Sequence, residues 1–347
     1  MAQYFQTLAL GTNLLIFLLC AGGVWMAGAR LTYIVDALSD RFNLAKSLMG
    51  LLVLSLATSL PEVATTLSAA VRQSQALVLN NLFGGIALQT AILATADLWA
   101  RGAITNYPRK ANHALEATLL VVLLSLTLAI ILAEQDLAVL HVGYGSLLIG
   151  AIYCGTIWLL RKYEGSSDWV PVDQPEAEAE RPAVLDTGLE KASLTSIALQ
   201  SALACLAILL VGITLVASAE TIAVQSGLGA GFIGVTLLAA ATSLPELTTT
   251  ITAVRLGAYT MAISNIFGSN LIMLVLVLPA DMLYVAGPIL SGTGPTVPLA
   301  ICFGIIVTAI YLVGLIVRRK PRIGTIGIDS LAVMIIFLLS VLAYLQA

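Results

Sequence analysis

The sequence Thr58-Ser59-Leu60-Pro61-Glu62 occurs a second time, unchanged, as Thr242-Ser243-Leu244-Pro245-Glu246. The two copies lie 184 residues apart, and each is embedded in a long apolar run. Two copies of a proline-broken helix that carries a carboxylate are typical of a membrane site at the interface of two repeats. The same offset pairs residues outside the pentapeptide: Asp36 with Glu220, Asn81 with Asn265, Phe83 with Phe267, Gly84 with Gly268, and Asp97 with Asp281.

The composition predicts an integral membrane protein. Of the 347 residues, 59% are hydrophobic and only 10% are charged, whereas soluble domains are usually about 25% charged. The net charge of −3 provides no basic field for a nucleic acid, so we expect no nucleic-acid partner. The sequence gives no sign of an obligate protein partner, and the partners that we expect are the lipid bilayer and inorganic cations.

The apolar runs predict an all-α protein of ten transmembrane helices, since a spanning helix needs roughly 20 apolar residues. A polar, acidic and proline-containing stretch, 161–193, separates five runs from the other five and is predicted to be a linker. The domains are therefore a first five-helix repeat (1–160), the linker (161–193) and a second five-helix repeat (194–347). The predicted spans are 7–29, 45–71, 76–98, 113–133, 139–160, 194–217, 230–254, 258–284, 297–317 and 325–346.

The basic residues predict the orientation of these helices. With ten spans, fifteen of the sixteen Lys and Arg residues fall on one side, and only Arg72 falls on the other. Because cytoplasmic loops are rich in Lys and Arg, both termini are predicted to lie outside and the linker in the cytoplasm. A repeat with an odd number of helices must insert with the opposite topology from its partner, which predicts inverted repeats.

Glu62 and Glu246 are the two acidic residues well inside apolar runs; the others, among them Asp97 and Glu116, lie in connections or near helix ends. A charge at the bilayer centre costs at least about 2.5 kcal/mol. One interpretation is that each glutamate is protonated and hydrogen-bonded to a helix neighbour. The other, which the pairing favours, is a cation site that both carboxylates line.

The residues around the glutamates fit a cation site. Thr58 and Glu62 are four apart, as are Thr242 and Glu246, a spacing that predicts the hydroxyl and the carboxylate on one helix face. Carboxylates, hydroxyls and carbonyls freed by proline form an all-oxygen site, which suits Ca²⁺ better than Mg²⁺.

Other polar residues allow two interpretations. Asn81 and Asn265, at the same place in both repeats, either lock helix packing or contribute to the site. The two histidines, His113 and His141, lie at predicted membrane edges, and we expect them at the surface.

These motifs resemble the sodium/calcium exchanger family of the calcium/cation antiporter superfamily over nearly the whole chain. The family's first element is Gly-Thr-Ser-Leu-Pro-Glu, and both copies here have Ala in place of Gly, at Ala57 and Ala241. The paired family motifs correspond to 57–89 and 241–273. The resemblance implies a Ca²⁺ site of Glu62, Glu246, Thr58 and Thr242, and Na⁺ sites that use the serines Ser59, Ser243 and Ser269 with carbonyls at Ser55 and Ala239.

Three positions depart from the family pattern. Gly85 replaces a serine, Gln89 replaces an asparagine, and Met273 replaces an acidic residue. The positions for the divalent cation are intact, whereas one hydroxyl and one carboxyl are missing from positions that hold Na⁺ or water in the family.

The sequence leaves three candidate functions open. The first is an antiporter that exchanges Ca²⁺ for Na⁺ by alternating access, in which the resemblance implies that the first and sixth helices slide across the core. The second is a Ca²⁺ (or other cation)/H⁺ antiporter on the same scaffold, since each glutamate can take up a proton. The third, an intramembrane metal-dependent enzyme, is disfavoured because metal-dependent hydrolysis usually requires His ligands. We therefore expect a transporter without a cofactor, in a prokaryotic plasma membrane.

Overall fold

The computed structural model describes residues 5–100, 102–108, 111–134, 137–163, 189, 192–226, 241–317, 322–324 and 326–344. Most of these residues are helical, and most of the predicted linker 161–193 lies outside them. The elements of the first half are α1 (Leu10–Arg41), α2 (Lys46–Thr58), α3 (Leu60–Val71), α4 (Gln75–Thr95), α5 (Asn112–Leu132), the antiparallel hairpin β1 (Ala138–Val139) and β2 (Val142–Gly143), and α6 (Tyr144–Tyr163).

The second half repeats this order with the same spacing. Apart from α10, its described elements begin 184 residues after their counterparts in the first half, so that α3 at Leu60 corresponds to α8 at Leu244. The position that corresponds to the start of α2, residue 230, lies outside the described residues. The elements are α7 (Leu194–Gln225), α8 (Leu244–Arg255), α9 (Tyr259–Val275), α10 (Val277–Leu283), α11 (Thr296–Ile316), the antiparallel hairpin β3 (Arg322–Ile323) and β4 (Ile326–Gly327), and α12 (Ile328–Tyr344).

Seven helices within the described residues are long and apolar enough to cross a membrane, and the bent pair α2–α3 makes up to eight. At 17 residues, α12 is shorter than a full span. Of the predicted span 230–254, the part before residue 241 lies outside the described residues. The count of ten therefore stays a prediction.

Several predicted boundaries were wrong, because pairing with other elements decides where these helices end. The first helix continues to Arg41 instead of ending at 29, and α7 continues to Gln225 instead of 217. These two long helices pack along each other, and their polar residues find partners across the pair. Arg30 Nε lies 3.1 Å from Gln200 Oε1, and Asn13 Nδ2 lies 2.9 Å from Gln225 Oε1. The predicted spans 139–160 and 325–346 begin later because a hairpin precedes each helix.

The long-helix pair, α1 with α7, has matching bonds at its two ends. Arg41 Nη1 donates to the carbonyl of Ala192 at 2.8 Å, and Gln225 Nε2 donates to the carbonyl of Leu8 at 2.8 Å. The two donors, Arg41 and Gln225, are related by the 184-residue offset, and so are the two acceptors, Leu8 and Ala192. These two end bonds are therefore symmetric.

The remaining helices form a core in which each half binds the other at a hairpin. Asp97, at the end of α4, accepts the backbone N–H of Gly327 at 3.0 Å, and Asp281, in α10, accepts that of Gly143 at 2.8 Å. These two bonds are also related by the offset. Hydrogen bonds to a buried carboxylate are strong, so they hold the two halves together as one unit.

Candidate cation site

The repeated pentapeptide breaks a helix at its serine. The axes of α2 and α3 differ by 49°, and Ser59 at the break has φ −78° and ψ 2°. Ser243 has nearly the same backbone conformation, φ −86° and ψ 5°. Proline follows within the first turn of the next helix, where its missing N–H has little cost. Glu62 and Glu246 consequently lie in the first turns of α3 and α8, where the helix dipole favours negative charge.

The break corrects one step of the sequence argument. Thr58 and Glu62 do not share a continuous helix, since α2 ends at Thr58 and α3 begins at Leu60. The Thr58 hydroxyl donates to the carbonyl of Ser55 at 3.1 Å. It also lies near the carboxylate of Glu246, the glutamate of the other half.

The two glutamates are buried together. Glu62 is 2% exposed and Glu246 is fully buried, and their carboxylates interact electrostatically. Neither oxygen of Glu62 has a hydrogen-bond partner among the described residues, and Oε2 of Glu246 has none there either. The arrangement does not support the interpretation that each glutamate is hydrogen-bonded to a helix neighbour. Unpartnered buried carboxylate oxygens are costly, and a cation would satisfy them.

Serine hydroxyls connect the halves beside Glu246. Ser269 Oγ lies 3.1 Å from Glu246 Oε1 and 2.6 Å from Ser59 Oγ. Thr242 and Ser243 are also buried, at 5% and 2% exposure. The structure thus brings Thr58, Ser59 and Ser269 together around one glutamate.

The paired asparagines hold adjacent helices together. Asn81 Nδ2 donates to Thr66 Oγ1 at 3.0 Å, and Asn265 Nδ2 donates to Thr249 Oγ1 at 3.0 Å. Thr249 in turn donates to the carbonyl of Pro245 at 2.9 Å. The helix-packing role is therefore present in both halves. Asn265 Oδ1 is buried without a hydrogen-bond partner among the described residues.

The positions that depart from the family pattern make the surroundings of Glu62 and Glu246 different. Gly85 stands at the position in the first half that Ser269 occupies in the second, and it supplies no hydroxyl. A Cβ atom on Gly85 would meet no heavy atom within 4 Å. Met273 is fully buried. Gln89 is also fully buried, and its amide atoms have no hydrogen-bond partner within the described parts of the chain.

A second buried polar cluster was not anticipated from the sequence. His113 is only 3% exposed, so the expectation of a surface position was wrong. Its Nδ1 lies 3.2 Å from Glu116 Oε2, and the Ser264 hydroxyl donates to Glu116 Oε1 at 2.7 Å. His113 and Glu116 are three residues apart, which places both on one face of α5. This spacing is the feature of the sequence from which the cluster could have been predicted.

Comparisons with known proteins agree with this architecture. "Putative antiporter CaxA" of Alkalimonas amylolytica is 26% identical over 270 residues, which cover 77% of this chain and 78% of that protein. "Inner membrane protein YrbG" of Escherichia coli (strain K12) is 27% identical over 263 residues, covering 75% and 76%.

Solved structures of the sodium-calcium exchanger NCX_Mj share the fold. The structure soaked with 2.5 mM Na⁺ and 0.1 mM Sr²⁺ matches with a TM-score of 0.70 at 15% identity, over 96% of this chain and 99% of that one. The structure soaked with zero Na⁺ and Ca²⁺ matches with a TM-score of 0.67, over 95% and 98%.

The family described as sodium/calcium exchanger protein matches residues 12–160 and 196–346. These ranges cover both halves and exclude the whole predicted linker, 161–193. The family and the fold are those of cation antiporters of the membrane rather than of enzymes. The chain belongs to the sodium/calcium exchanger protein family.

Proposed function

We propose that this protein is a secondary active antiporter that exchanges Ca²⁺ for Na⁺ by alternating access, without a bound cofactor. The observation that carries the proposal is the pair Glu62 and Glu246, buried together with three carboxylate oxygens that have no partner among the described residues. Two carboxylates neutralise one divalent cation, and the surrounding ligands are oxygens, as Ca²⁺ prefers. Relatives and solved structures named as an antiporter and as a sodium-calcium exchanger support the same function.

The proposed architecture is ten transmembrane helices in two inverted repeats, with both termini outside and the linker in the cytoplasm of a prokaryotic cell. The common offset of the element boundaries supports the repeats. The reciprocal bonds of Asp97 and Asp281 support a twofold relation between them, since each half supplies one acceptor and one donor.

Contacts between the long-helix pair and the core support the movement that exchange requires. A Cβ atom on Gly212 of α7 would lie 2.7 Å from Pro61 Cγ, and one on Gly28 of α1 would lie 3.2 Å from Thr248 Cγ2. Gly28 and Gly212 are related by the offset, but Pro61 and Thr248 are not. Thr248 lies three residues beyond Pro245, the counterpart of Pro61.

This mismatch of three residues is about 4.5 Å along a helix. The end bonds of the helix pair are symmetric, and so are the bonds that join the two halves of the core, yet the contact between the helix pair and the core is not. We infer that the structure is one of two related states. By the offset, Gly28 would face Pro245 and Gly212 would face Ala64 in the opposite state.

Calcium uptake into proteoliposomes tests the function. Purified protein is reconstituted, and ⁴⁵Ca²⁺ uptake is driven by an outward Na⁺ gradient or by an outward H⁺ gradient. Uptake that follows the Na⁺ gradient and is lost in Glu62→Gln and Glu246→Gln supports Ca²⁺/Na⁺ exchange. Uptake that persists in both variants would overturn the assignment of the site.

Exchange of a cation for protons on the same site is the second candidate. The different surroundings of the two glutamates favour this candidate. Ser269 donates a hydrogen bond to Glu246, whereas the corresponding residue of the first half, Gly85, has no hydroxyl. A carboxylate without such donors is stabilised by protonation once the cation leaves. Uptake driven only by the H⁺ gradient would establish this candidate. Absence of uptake under both gradients would exclude Ca²⁺, and other cations would then be tested.

A further inference from the structure

The hairpin between α5 and α6 carries an exposed apolar tip. Leu140 is 95% exposed, Leu137 is 61% exposed and Val139 is 48% exposed. The hairpin is closed by the Tyr144 N–H, which donates to the Leu137 carbonyl at 3.0 Å. The tip is thus an ordered apolar surface that no other described residue covers.

The backbone at the tip is strained in a way that its counterpart is not. Leu140 has a φ of 59°, a conformation that residues with a side chain rarely adopt. The corresponding position of the second hairpin, 184 residues later, is Gly324, with a φ of 66°. Glycine adopts this conformation without steric cost. A leucine here is unfavourable for the isolated hairpin, which indicates that its side chain has a role outside the chain.

The surroundings of the tip indicate a lipid occupant. Tyr144, Leu147 and Leu148 on α6 are 53%, 37% and 45% exposed, and Leu132 at the end of α5 is 66% exposed. Both helices are candidate membrane spans, so these side chains face lipid, and the hairpin continues their surface. Tyrosine is enriched at the membrane–water interface. Glu134, just before the hairpin, is exposed. A charged side chain is costly in the hydrocarbon, so the hairpin lies at the depth of the lipid headgroups.

We propose that the hairpin 137–144 inserts its apolar tip into the boundary between lipid headgroups and acyl chains and anchors the core to the bilayer. Gly143 N–H donates to Asp281 at 2.8 Å, and His141 Nε2 lies 3.0 Å from the Met282 carbonyl. Both partners belong to α10, which directly follows the helix that carries Ser269. The anchor therefore holds the site-bearing core at a fixed depth, and this conclusion does not depend on which ions are exchanged.

Site-directed spin labelling tests the anchor in proteoliposomes of phosphatidylcholine and phosphatidylglycerol. A nitroxide is attached in the variant Leu140→Cys, and the matched control is Gly294→Cys, an exposed position where a Cβ meets nothing within 4 Å. The four native cysteines are first replaced by alanine. We expect the label at 140 to collide several-fold more often with O₂ than with a water-soluble nickel complex, and the label at 294 to show the reverse.

Two results would overturn the proposal. Equal access of the nickel complex at both positions would place the tip in water. Strong spin–spin coupling at position 140 in liposomes, removed by dilution with unlabelled protein, would show that a second copy of the chain covers the tip. The variants Leu140→Gly and Leu140→Asp provide a check that does not use a label. Both should fold in detergent, and both should gain less thermal stability than wild type when phospholipid is added.

Discussion

The hydroxyl oxygens of Ser59 and Ser269 lie 2.6 Å apart, although the two residues belong to different halves of the chain. Ser269 also lies 3.1 Å from Glu246 Oε1. A continuous chain of hydrogen bonds thus runs from the break after α2 to one of the two glutamates. Glu62 has no such chain among the described residues, so the two carboxylates are chemically different in spite of their identical motifs.

Removing the hydroxyl at position 269 should weaken Na⁺ coupling more than Ca²⁺ binding. In Ser269→Ala, Glu246 loses a donor and a neutral oxygen ligand, whereas both carboxylates remain for the divalent ion. We expect the Na⁺ concentration for half-maximal exchange to rise about tenfold, equivalent to about 1.4 kcal/mol. Na⁺-dependent ⁴⁵Ca²⁺ flux measures it, with Thr118→Ala as control because Thr118 is exposed. Unchanged Na⁺ dependence would show that Ser269 is not a ligand.

Adding the missing hydroxyl should have the opposite effect. In Gly85→Ser the new side chain meets no described atom within 4 Å at its Cβ, so the fold should tolerate it. By the 184-residue offset, the hydroxyl would occupy the position in the first half that corresponds to Ser269 beside Glu246. We expect a lower Na⁺ concentration for half-maximal exchange and a smaller H⁺-driven flux. Gly85→Ala, which adds the volume without the hydroxyl, is the control and should not reproduce the change.

A methyl group at position 212 should slow exchange without unfolding the protein. In Gly212→Ala the new Cβ would lie 2.7 Å from Pro61 Cγ, which is closer than van der Waals contact. The long-helix pair must then shift against the core, and we expect turnover to fall about tenfold or more, a loss of at least about 1.4 kcal/mol. Gly155→Ala, where a Cβ has open space, should exchange at the wild-type rate. Thermal unfolding checks that both variants fold.

Replacing Asp97 or Asp281, which bind the two halves together, by asparagine should lower the stability of the protein, and by different amounts. Each aspartate accepts two backbone N–H groups: Asp97 those of Ile104 and Gly327, and Asp281 those of Gly143 and Ile289. An asparagine offers one oxygen in place of two, so one of these N–H groups loses its acceptor. A hydrogen bond to a charged group contributes about 1.5–3 kcal/mol. Asp281→Asn should incur this full loss. Asp97→Asn should lose less, because Asp97 is also repelled by nearby Asp329. Thermal unfolding in detergent measures both. The control is Asp40→Asn, whose exposed side chain has only a long ion pair with Lys46, at 3.6 Å, and it should cost less than about 1 kcal/mol. Equal losses would contradict the role of Asp329.

Loss of the hydroxyl at position 264 should also lower stability. Ser264→Ala removes the donor to the buried Glu116 carboxylate and leaves His113 as its remaining hydrogen-bond partner among the described residues. We expect a loss of about 1–3 kcal/mol in the free energy of unfolding. Thermal unfolding is again the measurement. The double variant Ser264→Ala/Glu116→Gln should recover part of the loss, since it no longer buries the charge.

The sequence predicted a helical membrane protein and a pair of glutamates within its apolar segments, because both features depend on local chemistry. Long apolar runs require a membrane, and a carboxylate within them requires a partner. The family resemblance, confirmed by the family match, rested on the same two motifs.

What the sequence could not provide was contact between distant segments. The length of α1 depends on bonds such as Arg30 to Gln200, which span 170 residues. Burial of His113 depends on Ser264, 151 residues away. The break at Ser59 was implied by proline, but its effect, to turn Thr58 toward Glu246, followed only from packing of the two halves. The number of helices and their sidedness remain predictions.

The bond between Asp97 and Gly327 also constrains how the protein is made. Asp97 belongs to the first half, but one of its two backbone donors is synthesised 230 residues later, near the C-terminus. Until that hairpin packs against the first half, the carboxylate of Asp97 lacks one of its hydrogen-bond donors. The first half therefore has its full set of hydrogen bonds only after Gly327 has been synthesised. A chain that stops before Gly327 has an unsatisfied carboxylate oxygen in its first half as well.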